Sequence, residues 1–144
     1  MKTIFFRATC LAVVAVLLVQ CCKDTGRPSD TDLQNADLAT IQAALAGRWE
    51  LKRISGGLCN FCEHPVAHRP YMVLTNASVT FGNDSLGVVE QGPLTWARAD
   101  NFGNAYAFTG PSGNGYVPLD IRNDTLRLHQ YAFDGVIYHY TRPD

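Results

Sequence analysis

The stretch TLRLHQYAFDGVIYHYTR, Thr125 to Arg142, decides how the rest of the chain is read. Asp134-Gly135 supplies the positive φ angles of a tight hairpin and separates two runs of alternating apolar and polar residues. The runs are read as antiparallel strands, Thr125 to Ala132 and Val136 to Arg142. Loop length then sets the register. A two-residue loop puts Arg127 opposite Arg142, and like charges across a pair are unfavourable. A three-residue loop of Phe133, Asp134 and Gly135 instead pairs Ala132 with Val136, Leu128 with Tyr140 and Leu126 with Arg142, and is preferred. It gathers Leu126, Leu128, Val136, Tyr138 and Tyr140 on one face, the expected core. Arg127, His129, Tyr131, His139 and Thr141 lie on the other, where His129 and His139 are expected to face each other.

The same punctuation recurs upstream, with turn residues roughly every 8 to 12 positions, the spacing of an all-β barrel or sandwich. Gly82-Asn83-Asp84, Gly113-Asn114-Gly115 and Asn123-Asp124 are turns of this kind. They bound candidate strands at Arg48 to Ile54, Tyr71 to Leu74, Ser78 to Gly82, Ser85 to Glu90, Leu94 to Arg98, Ala105 to Thr109 and Tyr116 to Ile121. Before them, Leu38, Ile41, Ala44 and Leu45 recur at helical spacing behind Asp37, a suitable N-cap, and Gly47 ends that short helix. No later segment reads as a helix long enough to cross between parallel strands, so antiparallel pairing is expected.

The N-terminal end carries different chemistry. Lys2 and Arg7 precede an apolar run from Cys10 to Val19, and the first twenty residues contain no acid, a secretory signal layout. The run falls short of the roughly 20 residues a spanning helix needs. Leu18-Val19-Gln20-Cys21-Cys22 resembles a bacterial lipobox, which implies lipid attachment at Cys21, with Cys22 as the alternative acceptor. An ordinary signal-peptidase cut would leave both as bystanders. Two or three acyl chains would make such anchorage durable. Lys23-Asp24 resembles a sorting signal for the outer face of the outer membrane. The polar stretch that follows reads as a flexible tether. The expected division is therefore a signal at 1–20, a tether at 21–36 and one domain at 37–144. The chain has 12 basic and 13 acidic residues, and losing Lys2 and Arg7 with the signal leaves 10 against 13. No basic patch points to nucleic acid.

Gly47-Arg48-Trp49 opening the first long strand, followed by Ile54-Ser55-Gly56-Gly57, carries a family resemblance together with the closing Asp124-x-Leu126-x-Leu128 and Tyr138-x-Tyr140-x-Arg142. The chain resembles the small lipocalin-like lipoproteins of Bacteroidetes-type bacteria over most of residues 45 to 142. That resemblance implies an up-and-down antiparallel β-barrel of about eight strands with a short N-terminal helix. It implies that Arg142 stacks on Trp49 at the closed base, and that the loop Ser55 to Pro70 lies over the open mouth. It also implies a small apolar or amphipathic ligand, for which Tyr106, Phe108, Tyr116, Tyr138 and Tyr140 either line a cavity or fill the interior.

That loop holds Cys59-Asn60-Phe61-Cys62-Glu63-His64 and then His68. Cys59, Cys62, His64 and His68 are all metal-ligand types. In an oxidising compartment two cysteines this close pair as a disulfide, which is the preferred reading over a metal site or free thiols. Glu63 interrupts a haem-attachment motif, and the strand-to-helix setting of a thioredoxin motif is missing. No serine sits in a glycine elbow and the acids and histidines have no catalytic spacing. The expectation is a non-enzymatic, cofactor-free binding lipoprotein, anchored in the outer membrane and exposed at the cell surface. A filled barrel that contacts an envelope partner is the alternative.

Overall fold

Among the described residues, alternating β-branched and aromatic residues, broken by Gly, Asn and Asp, pair into one antiparallel sheet with one short α-helix at its base. The structure is a computed structural model that describes residues 30–59 and 62–143. The expected signal, Cys21, Cys22, Lys23-Asp24 and the first part of the tether lie outside the described residues.

The elements are β1 (Thr31–Asp32), α1 (Leu38–Leu45), β2 (Gly47–Gly56), β3 (Glu63–His64), β4 (Tyr71–Leu74), β5 (Ser78–Asn83), β6 (Gly87–Pro93), β7 (Thr95–Ala99), β8 (Ala105–Thr109), β9 (Gly115–Arg122), β10 (Thr125–Gln130) and β11 (Val136–Thr141). A 3-10 turn at Asp100–Phe102 joins β7 to β8. The sheet runs β6-β5-β4-β2-β11-β10-β9-β8-β7, with β1 added on β9 and β3 on β2. The first long strand thus pairs with the last, as in a meander that curls back on itself.

Strand number and closure differ from expectation. Nine strands stand on the sheet path rather than about eight, β1 and β3 bring the total to eleven, and the sheet is an open half-barrel between β6 and β7. The physical reason lies at Pro93 and Leu94. Proline has no N–H for a ladder, and only Leu94 separates β6 from β7, which run in the same direction when the antiparallel pairings are followed round the sheet. The first half of this bent run pairs with β5 and the second with β8. Beside the bend, the β8–β9 turn leans on β6. The Ser112 N–H donates to Glu90 Oε1 at 2.6 Å, and Pro111 sits so close that a Cβ on Gly92 would come within 2.5 Å of its ring.

The last hairpin is shifted by two residues from the preferred register. Leu126 faces Tyr140, Leu128 faces Tyr138 and Arg127 faces His139. The loop therefore has five residues, 131–135, because the end of β10 stays with β9: the Tyr131 N–H donates to Gly115 O at 2.8 Å. A shift of two preserves side-chain parity, so Leu126, Leu128 and Tyr140 still enter the core. His129 faces Ile137, not His139. In β2 a bulge near Lys52 lets Trp49, Leu51 and then Ile54 all pack inward.

Residues 31–33, expected to belong to a tether, fold onto the sheet. Thr31–Asp32 pairs with β9, the Leu33 N–H donates to Leu119 O at 3.0 Å, and Leu33 is fully buried in the main core. Its apolar side chain finds a partner surface that local composition does not reveal. In α1, Asp37 caps the first turn by accepting from the Thr40 N–H at 2.9 Å. Ile41 and Leu45 are buried under the sheet. A second, smaller cluster of Ala99, Ala105, Ala107 and Val117 lies on the other face of β7 to β9, where Phe102 and Leu119 pack on it.

Candidate functional site

The strand directions give the half-barrel two unlike ends. At the base, where β2 begins and β11 finishes, the Arg142 guanidinium lies over the Trp49 ring, 4.2 Å from its centroid. Its N–H groups donate to Ala46 O at 3.2 Å and Ala44 O at 3.0 Å, while Trp49 Nε1 donates to Leu45 O at 2.8 Å. Carbonyls at a helix C-terminus lack intrahelical partners, and these two side chains supply them. Gly47, at φ +114°, lets the chain turn under the guanidinium, where a Cβ would meet Arg142 Nη1 at 3.0 Å. The cluster is structural.

At the mouth, the segment between β2 and β4 runs beside β2. Its short strand β3 pairs with Ile54 and Ser55, the Arg53 guanidinium meets Glu63 at 3.1 Å, and Val66 packs against the main core. The far end is held by the Asp84 N–H donating to His68 O at 3.0 Å and the Leu51 N–H donating to Pro70 O at 2.8 Å. The Cys59 and Cys62 sulfurs are in contact, with Cα atoms 5.5 Å apart, a separation that suits a bridge. The two histidines turn elsewhere: His64 Nε2 lies 3.1 Å from Gly56 O and His68 Nδ1 3.0 Å from Ser85 Oγ. Among the described residues no group of three or more His, Cys, Asp or Glu side chains is gathered as a metal site.

The inner face of the sheet is aromatic. Phe108 stacks on Tyr116 at 5.3 Å, Tyr116 meets Tyr138 at 5.8 Å, and Tyr138 meets Tyr140 at 6.4 Å between ring centroids. Four of the five expected cavity residues are thereby brought together. Tyr106 packs at the edge of the core with the Arg98 guanidinium 3.7 Å from its centroid. Two rings not singled out from sequence complete the ladder: Trp96 lies 5.3 Å from Phe108, and Phe81 5.8 Å from Tyr116. Their signal was available, since each occupies an alternating position in a candidate strand. Burial, then Tyr138 and Glu90, push the Tyr116 phenol up to about 12. Burial alone raises Tyr138, and it leads the rise at Tyr140. The surroundings are poorly polar.

Two other features lie outside the ladder. On the solvent side, His139 is buried with Nε2 2.8 Å from Ser55 Oγ and the Arg53 guanidinium at 3.4 Å. Its cross-strand neighbour Arg127 grips the buried Asp120 with both Nε and Nη2. A cleft of about 520 Å³ is lined by Asn101, Phe102, Tyr131, Ala132 and Phe133. It contains none of the expected cavity residues. The chain matches no known protein family, no curated protein and no solved structure.

Proposed function

We propose that this protein is a lipocalin-like lipoprotein of the bacterial envelope that holds a small apolar or amphipathic ligand inside its curled sheet. The observation that carries this reading is the aromatic ladder from Trp96 through Phe108 and Tyr116 to Tyr138 on the inner face of the sheet, with Val66 packed against the same core. Ligand sites are concave, mostly aromatic, and furnished with a few polar groups. The Gly-x-Trp opening and the Trp49–Arg142 stack support the lipocalin comparison, and the lipobox-like sequence around Cys21 supports attachment to the outer membrane. In that compartment the contact between Cys59 and Cys62 is a disulfide that stiffens the loop. The test is native mass spectrometry of protein purified from its own envelope. A copurifying small molecule at one per chain is expected; chains that carry nothing, and that take up no apolar probe, would overturn the reading.

A second reading rests on the mouth itself. The exposed large apolar residues Leu58, Leu86, Val88, Val89, Tyr131 and Phe133 all belong to segments at that end, and clustered apolar exposure marks contact surfaces. On this reading the barrel is filled and the rim meets an envelope protein. Crosslinking in cells through residue 133 separates the two, because a reproducible adduct at this site is expected only for the second.

A further inference from the structure

The Trp96 indole N–H is buried and meets no hydrogen-bond acceptor among the described residues. A donor left bare inside a protein costs about 1–3 kcal/mol, so native interiors rarely keep one without use. Trp96 is not peripheral. It packs on the main core and on Phe108, which stacks on Tyr116 in turn. The other tryptophan of the chain, Trp49, shows the contrast, since its N–H is satisfied by Leu45 O at 2.8 Å.

An indole N–H donates only, so whatever completes it must bring an acceptor. The charges nearby restrict what kind. Glu90 faces Phe81 across the β5–β6 ladder, and its field reaches Tyr116. An anionic head group beside Tyr116 would be repelled by Glu90 and would lose its hydration on burial. Arg98, two residues along β7, is already laid over Tyr106 and donates to Asn104 O at 2.7 Å. A cationic head brings no acceptor. We infer that the ligand is a neutral, largely apolar molecule whose carbonyl, or other uncharged oxygen, accepts the Trp96 N–H while its body lies against the half-buried Tyr116. This rests on the ligand-binding reading above and narrows it to one chemical class.

The test uses the full chain with Cys21→Ser and Cys22→Ser, purified without detergent, and three fluorescent probes of similar size. These are the neutral ketone 6-propionyl-2-(dimethylamino)naphthalene, the oxygen-free N-phenyl-1-naphthylamine, and the anionic 8-anilinonaphthalene-1-sulfonate. The ketone is expected to bind at one per chain and more tightly than the sulfonate. Trp96→Phe is expected to weaken the ketone roughly tenfold, the scale of a lost hydrogen bond to a fixed donor, and to leave the oxygen-free probe within about twofold. Independently of any variant, adding ketone to the parent chain should move the Trp96 indole N–H resonance downfield while that of Trp49 stays in place. Equal losses for both neutral probes, sulfonate binding as tight as ketone, or a motionless Trp96 resonance overturns the inference and leaves the binding reading standing. If none of the three probes binds, the reading itself falls.

Discussion

Arg142 joins three groups at once: the Trp49 ring and the carbonyls of Ala44 and Ala46. Cation–π stacking and hydrogen bonds from a charged donor each contribute on the order of 1–2 kcal/mol. Arg142→Gln is therefore expected to lower thermal stability by roughly 2 kcal/mol, or about 10 °C in a domain of this size, while the interior keeps its fluorescence probes. A melting point within a degree of the parent would show the contact to be idle. His139 gives a pH dependence. Burial first, then Arg53 and Arg127, hold it below its ordinary value of 6.5. The unfolded chain takes a proton at 6.5 that the folded chain refuses, so this group's contribution is full above that pH and is lost as pH falls from 6.5 toward the folded value. Facing it are Arg53 and Ser55 from β2, Glu63 from β3, Arg127 from β10 and Asp120 from β9. His139→Gln is expected to flatten the stability curve as pH falls below 6.5; a slope equal to that of the parent would assign it to other groups.

At the scale of elements, alternation made the strands and their inward faces legible, and each expected strand has a counterpart within a few residues. Partner choice was less visible. The two-residue slip in the last hairpin arises because Tyr131 bonds Gly115 on a different hairpin, and a local pattern carries no information about that competitor. Phe81 and Trp96 stood at inward positions yet became site residues only when curvature brought β5, β7 and β9 together. The segment between β2 and β4 has few ladder bonds and is held by β3, Val66 and a few backbone contacts. Replacing both Cys59 and Cys62 with serine closes no large loop and opens none, so global stability should change by less than about 1 kcal/mol. Amide exchange across residues 57–69 should quicken severalfold. Unchanged exchange there would mean that β3 and Val66 alone hold the segment.

For the whole molecule, the expected boundary at residue 37 hid a folded segment. Leu33 was a lone apolar residue in a polar stretch, and its burial depends on Leu119, far along the chain. A chain beginning at Asp30 should match the full chain in stability. One beginning at Asp37 should lose roughly 2–3 kcal/mol, the burial of one leucine and the β1 bonds with it, and equal melting points for the two would remove Leu33 from the core.

The pairing of β2 with β11 has a consequence in time. Every strand from β4 to β10 except β7, which waits only for β8, meets a neighbour made before it, so hairpins can form as the polypeptide lengthens. The first long strand must wait for the last, since the bonds from Arg142 to Ala44 and Ala46 span 98 and 96 residues. Contacts of such separation are slow to form and are rewarded only late. Until Arg142 has been synthesised, the C-terminal carbonyls of α1 at Ala44 and Ala46 lack their side-chain donor, the Trp49 ring lacks its guanidinium, and β2 has only β3 and β4 beside it. Joining β11 to β2 is therefore the last step that the growing chain can complete.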